Sequence, residues 1–400
     1  MGYVGLVVAI LLVGYVVYRN SGKIDQTLVF SPPQAMNALW ADYKTHFLEA
    51  NTKRALDPSR NNITTSEGQS YTLLRAVWMG DKETFDTAWK WTKDNLGHNN
   101  DALFSWLYGK RADGTYGVLT DQGGATSASD ADTDIAVALI FAHARWQDET
   151  YLTAAKSILN DLWTHEVVKV GSDYYLASNN LETSQADDWI LVNPSYFHPA
   201  AYRIFAQVDP AHPWLALADG SYTFLAKVMQ NPLDKKTSDY LPPDWVEVNK
   251  KTGALRAPQS TSLTTNFGYD ALRTPWRLTL DYQWFGSPAA KAALEKMHFL
   301  TDEWNAQGSI RTTYAHDGTP VNENESPAMY GGTIGYFSVT DPALARHIYE
   351  TKLAFLFNPG INTWKERLSY YDDNWAWFGI GLYNNLLPNL AALPAKTNTP

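Results

Sequence analysis

Three acidic positions in this chain sit where a carboxylate can be half buried and still face a cleft. They are Glu67 in Ser66-Glu67-Gly68-Gln69-Ser70-Tyr71, Asp130 in Asp130-Ala131-Asp132-Thr133-Asp134, and Asp270 in the stretch from Tyr269 to Arg277. Each lies at the edge of an apolar run with helical spacing. That setting separates the acidities of neighbouring carboxyls, which is what hydrolytic acid/base chemistry requires. Glu67 follows Thr64-Thr65-Ser66, so a capped helix start accounts for an acidic residue there without any function. Its small, hydrogen-bonding neighbours and the run Leu73-Leu74 to Val77-Trp78 point further, to a carboxyl desolvated enough to hold its proton near neutrality. Asp270 has Arg273 and Arg277 on the following turns. They make either a plain structural ion pair or the charged surroundings that keep a general base ionised.

The triplet Asp130, Asp132, Asp134 begins like an EF-hand loop, but the sixth position is Ile135 and the twelfth is Phe141. A calcium loop needs glycine and a bidentate glutamate at those places, so no metal site is expected. Helix capping and the helix dipole explain one or two of the three carboxylates. They do not require all three.

The 400 residues carry a formal net charge of -10, no cysteine, 16 Trp and 23 Tyr. An acidic chain lacks the clustered cations that phosphate backbones demand, so nucleic acid is excluded as the expected partner. Without thiols there are no disulfides, no cysteine nucleophile and no Cys-bound zinc. Many of the aromatic residues fall in polar surroundings. Rings with a polar edge suit a groove for sugars, whose C–H faces stack while their hydroxyls seek partners; use as core filler is the competing explanation for any single ring.

Residues 2–18 are apolar without a charge and are followed by Arg19 and Lys23. The run is short for a spanning helix, longer than an ordinary signal core, and lacks a small-x-small cleavage site. Residues 1–20 are therefore predicted to be a transmembrane anchor or uncleaved signal, 21–34 a spacer with the Pro32-Pro33 pair, 35–390 one catalytic domain and 391–400 a tail. The two cations after the run favour a cytoplasmic bulk under the positive-inside rule, but large domains translocate regardless of charge. A catalytic domain outside the cytoplasm, or secretion if the segment is cleaved, is expected.

About twelve stretches show helical apolar spacing: 35–52, 66–79, 82–97, 131–146, 149–163, 198–208, 213–229, 269–285, 288–304, 327–338, 341–356 and 373–386. Most pair through short joins such as Gly80-Asp81 and Gln147-Asp148, whereas the joins 98–128 and 230–268 are long. Short joins imply antiparallel neighbours. The expected fold is all-α, six helical hairpins closed into an (α/α)6 barrel whose long joins gather at one end and carry the cleft, with Asp173-Tyr174-Tyr175-Leu176 as a flanking strand. An open α-solenoid needs a fixed-period repeat, and none is present.

The run Ala128-Ser129-Asp130-Ala131-Asp132-Thr133-Asp134-Ile135-Ala136, continuing through Ala138-Leu139-Ile140, Ala142 and Trp146, resembles the signature of glycoside hydrolase family 8. Ser66 to Tyr71, Asn193-Pro194-Ser195-Tyr196-Phe197 with Pro199, and Tyr269 to Arg277 resemble further motifs of that family, in its order. The resemblance covers residues 35–388 and implies an (α/α)6 barrel that hydrolyses β-1,4-linked glucan, xylan, chitosan or mixed-linkage glucan with inversion. It places Glu67 on the general acid, Asp270 on the general base and Asp130 on the carboxylate beside the cleavage point. It makes Trp106 a sugar-stacking platform, and Tyr196, Tyr269 and Arg273 cleft-lining contacts. Thr72 departs from the glycine common after Tyr71 and is expected to narrow the space beside the acid. The resemblance implies no cofactor, a β-linked polysaccharide as substrate, and a monomer held to the membrane by its N-terminal helix. An endo-acting β-1,4-glucanase is the leading expectation. A xylanase or oligoxylanase, a chitosanase, a mixed-linkage glucanase and a non-catalytic carbohydrate-binding protein are the alternatives. A terpene cyclase fits less well, because the long joins are polar and position 133 is Thr.

Overall fold

A computed structural model describes residues 31–392. The expected membrane segment, most of the spacer and the end of the tail lie outside the described residues. Among the described residues no helix is long and apolar enough to cross a membrane.

Fourteen α-helices make up the described chain: α1 (Pro32–Phe47), α2 (Ser66–Met79), α3 (Lys82–Leu96), α4 (Ser129–Trp146), α5 (Glu149–Glu166), α6 (Asn180–Ser184), α7 (Pro199–Val208), α8 (Trp214–Gln230), α9 (Arg273–Phe285), α10 (Pro288–Glu295), α11 (Phe299–Gln307), α12 (Pro327–Thr340), α13 (Pro342–Ile348) and α14 (Tyr370–Tyr383). Their ends follow local chemistry. Thr65 and Asp81 accept the Gly68 and Thr84 amides at the starts of α2 and α3, and Gly80, at φ 71°, closes α2 in the left-handed region that glycine adopts freely.

Helices α2, α4, α7, α9, α12 and α14 touch in that order and form an inner ring. Arg75 of α2 closes it, donating to Asp373 and Asn374 of α14 at 2.9 and 3.1 Å between the rings of Tyr43 and Trp377. The inner helices are buried on nearly every face, α2 from Gly68 to Trp78 without a break, as a helix surrounded by others must be. Outer helices α3, α5, α8, α10 and α13 back onto α2, α4, α7, α9 and α12 and bury one stripe each. Helices α12 and α14 pack closely because Gly331 faces the backbone of α14. A Cβ there would stand 1.9 Å from the Trp375 carbonyl oxygen.

The expected six-hairpin toroid is thus present, with one difference: the sixth pair is no hairpin, since α1 packs on α14 and the pair brings together the first and last helices of the described residues. The Pro32-Pro33 pair, read as spacer, opens α1, where proline's fixed φ suits the first turn. The 288–304 stretch is broken. The Met297 amide bonds the Leu294 carbonyl and the Leu300 amide bonds that of Met297, a tight turn separating α10 from α11. The 341–356 stretch likewise ends its α-helix at Ile348 and continues as one π turn and a short 3-10 turn.

Short antiparallel strands fill the joins: β1 (Thr64–Thr65), β2 (Leu107–Lys110), β3 (Tyr116–Val118), β4 (Val167–Val170), β5 (Asp173–Leu176), β6 (Trp189–Val192), β7 (Val246–Asn249) and β8 (Leu255–Arg256) are among them. The expected strand is β5, paired with β4. β2 lies between β1 and β3, and β7 between β6 and β8. Both long joins therefore fold back against the openings of inner helices.

Candidate active site

Glu67 is the second residue of α2, Asp130 the second of α4, and Asp270 lies in the turn leading into α9. All three stand at N-terminal ends of inner helices, where the helix dipole favours a carboxylate. The sheet β1–β2–β3 aims the first of them, because the Ser66 amide donates to the Trp106 carbonyl at 3.0 Å. Ser129, whose hydroxyl donates to the Ala177 carbonyl at 2.6 Å, ties down the start of α4.

One guanidinium joins the three carboxylates. Nη1 of Arg273 donates to Glu67 and, at 2.9 Å, to Asp130, while Nη2 donates to Asp270. Nε donates to the Ser195 hydroxyl and the Asp270 carbonyl, each at 3.1 Å. A guanidinium's width plus two hydrogen bonds sets the nearest oxygens of Glu67 and Asp270 no more than about 8 Å apart. The Arg273 side chain is 1% exposed and that of Asp130 3%, against 22% for Glu67 and 33% for Asp270. Solvent therefore reaches the two outer carboxylates but not the cation between them.

The electrostatics separate the carboxyls. Burial pushes Glu67 up to about 7; Arg273 pulls it down, and Asp130 and Asp270 push it up. Burial also raises Asp130 against the pull of Arg273 and Arg277. Asp134 lies lower than usual: burial acts against this, but Arg277, gripping it through two nitrogens at 3.0 and 2.8 Å, and His198 outweigh it. Asp132 points away from the cleft, accepting the Phe104 amide and meeting Glu166.

The structure brings Glu67, Asp130, Asp270 and Arg273 together. Arg273 is enclosed, with its nitrogens engaged by protein groups, and its guanidinium lies 5.1 Å from the Tyr196 ring centre. Arg277, the other arginine considered for Asp270, pairs with Asp134 instead. Tyr196 is half-buried, and Tyr269 is 46% exposed with its ring packed on Tyr371. Trp106 is half-buried, its indole donating to the Gly123 carbonyl at 3.0 Å. Thr72 does not narrow the cleft: it is fully buried, and its hydroxyl bonds the Gly68 carbonyl and meets that of Tyr43 on α1.

Sequence reasoning missed Trp245, whose indole donates to Asp270 at 2.9 Å, and Asp244, which accepts the Gly268, Asp270 and Ala271 amides. Both fall in a long join with few aromatic residues, and nothing local in the sequence marked them.

The family model for glycosyl hydrolases family 8 matches residues 23–372. The chain belongs to glycoside hydrolase family 8. This family 8 chain is 30% identical over 320 residues to Endoglucanase C of Ruminiclostridium cellulolyticum, an alignment covering 78% of the chain and 64% of that relative's length. It is 29% identical to Endoglucanase A of Acetivibrio thermocellus over 382 residues, covering 91% and 73% respectively. Among solved structures, the endo-1,4-D-glucanase of Vibrio fischeri superposes with a TM-score of 0.71 at 25% identity, covering 87% of this chain and 94% of that one. The family 8 fold and the ring of inner helices agree.

Proposed function

We propose that the chain is an inverting, endo-acting β-1,4-glucanase, with Glu67 as general acid and Asp270 as general base. The observation that carries this reading is the Arg273 fork, which holds two solvent-reachable carboxylates toward one cleft. Glu67, raised to about 7, retains its proton at mildly acidic pH and delivers it to the departing glycosidic oxygen. Asp270 takes a proton from a water that attacks the opposite face of the sugar, so the anomeric carbon inverts. Asp130, buried against Arg273, places negative charge beside the ring as it gains oxocarbenium character. Inversion requires carboxyls about 6.5–9.5 Å apart, a separation that the upper bound of about 8 Å set by the shared guanidinium permits. Trp106, Tyr196 and Tyr269 supply aromatic surface for the sugars on either side.

A β-1,4-glucan is the proposed substrate because the curated relatives carry endoglucanase names. The polymer is external, so the catalytic domain is proposed to act outside the cytoplasm; its recovery only in the cytosolic fraction would overturn that. The test of mechanism is release of reducing ends from carboxymethylcellulose, xylan, lichenan and chitosan by wild type, Glu67→Gln and Asp270→Asn. Both variants are expected to lose about a thousandfold or more on the best substrate. Wild-type activity in either removes that residue from its role.

A further inference from the structure

Asp270 precedes α9 and lies in an irregular turn, so no regular helix fixes its backbone. A general base in such a turn needs to be held by something else. We infer that Asp244 and Trp245 are the positioning residues for Asp270, the first stapling the turn and the second orienting the carboxylate. The inference rests on the reading of Asp270 as the general base.

The staple is the Asp244 carboxylate. One of its oxygens accepts three donors from this turn, the amides of Gly268 at 3.1 Å, Asp270 at 3.2 Å and Ala271 at 2.8 Å. The backbone nitrogen of Asp270 itself is among them. Glycine at 268 is what lets the carboxylate approach so closely, since a Cβ there would stand 2.7 Å from the other Asp244 oxygen. Burial and the nearby Asp270 charge push the Asp244 carboxyl up to about 8, against amides that favour its charged form. An acidic side chain is kept in this unfavourable place because an apolar residue would leave the three amides unpaired.

The orienting group is the Trp245 indole. Its Nε1 donates to one Asp270 oxygen at 2.9 Å, while Arg273 holds the other. Two donors from separate elements define the plane of the carboxylate, so rotating it breaks both bonds. The indole is itself fixed. The Trp245 and Asp244 amides donate to the Thr264 and Asn266 carbonyls at 3.0 and 2.6 Å, and the ring packs edge-on against Tyr196 at 5.7 Å. Trp245 is half-buried rather than enclosed in the core. Its N–H therefore serves the site, not the packing of the barrel. With one oxygen on Arg273 and one on Trp245, the Asp270 side chain is still 33% exposed, which leaves lone pairs free to receive a proton from an attacking water.

The experiment is steady-state kinetics on carboxymethylcellulose with Trp245→Phe, Asp244→Ala and Asp270→Asn, together with thermal melts of each. Trp245→Phe retains a ring and removes only the donor. It is expected to lower kcat about ten- to a hundredfold while KM stays within about twofold and the melting temperature is unchanged. Asp244→Ala is expected to reproduce the same split between kcat and KM, and it carries the test if Trp245→Phe does not fold. Wild-type kcat in Trp245→Phe beside an inactive Asp270→Asn overturns the inference and leaves the base assignment standing. A raised KM at unchanged kcat makes Trp245 a sugar contact and also overturns it. An active Asp270→Asn overturns the base assignment and this inference with it.

Discussion

Replacing Arg273 by lysine keeps the charge and removes the fork. A lysine ammonium is a single point with three donors, so it can replace Nη1 between Glu67 and Asp130 or Nη2 at Asp270, but not both. If it settles between Glu67 and Asp130, Asp270 loses a charge-assisted bond of about 1.5–3 kcal/mol. Expressed fully in the transition state, that lowers kcat by roughly 10- to 150-fold. Arg273→Met removes the cation altogether. Three carboxylates then lose the cation they share, with only the more distant pull of Arg277 left on Asp130, and the fold is expected to lose about 3–5 kcal/mol. Because Arg273 pulls the Glu67 carboxyl down against burial, its removal pushes that carboxyl up further and moves the basic limb of the pH–rate profile to higher pH. Initial rates of reducing-sugar release between pH 4 and about 9, with urea melts as the control, read all three effects. Wild-type kcat in Arg273→Lys, or a basic limb in Arg273→Met that stays put or moves down, refutes the view of Arg273 as the bridge that sets both carboxyls.

Wild-type activity is expected to fall on the alkaline side with a midpoint near pH 7, as Glu67 loses its proton, and a limb confined to much higher pH contradicts the assignment of the acid. Glu166 is buried against Asp132, receives the Ser127 hydroxyl, and is pushed up to about 8 chiefly by burial. Its proton is held more tightly in the folded state than in the unfolded chain, where the carboxyl titrates near 4.5. That contribution to stability is complete below pH about 4.5 and is lost as pH rises through about 8. Glu166→Gln should therefore flatten the decline of melting temperature over this range, and an unchanged slope counts against a proton held on Glu166. Arg75→Met leaves Asp373 without its buried cation and should cost about 3–5 kcal/mol in urea unfolding; a loss below about 1 kcal/mol shows that the ring closes without it.

The legible parts of the sequence were those with local causes. Helix α2 runs from Ser66 to Met79 as its spacing indicated, because the Thr65 cap and the Gly80 stop act within a turn of the residues they control. The break at 296–298 was hidden because α10 and α11 both carry apolar residues at helical spacing, so periodicity runs straight across the turn. What lay beyond reach was long-range. Glu67 and Arg273 are separated by 206 positions, and only the closed ring brings them together. Arg273 read as a side chain lining the cleft, yet three carboxylates enclose it. Asp244 and Trp245 sit in a join without periodicity, 26 and 25 positions before the residue they hold. The pairing of α1 with α14 depends on two helices more than 300 positions apart that no short-range pattern relates.

The most direct test of two facing carboxylates with a water between them is the configuration of the first product. Proton NMR of the reducing end released from cellopentaose, recorded before mutarotation, is expected to show the α-anomer accumulating ahead of the β-anomer. Initial release of the β-anomer would mean that Asp270 does not activate water for a single displacement, and would contradict the paired roles of Glu67 and Asp270.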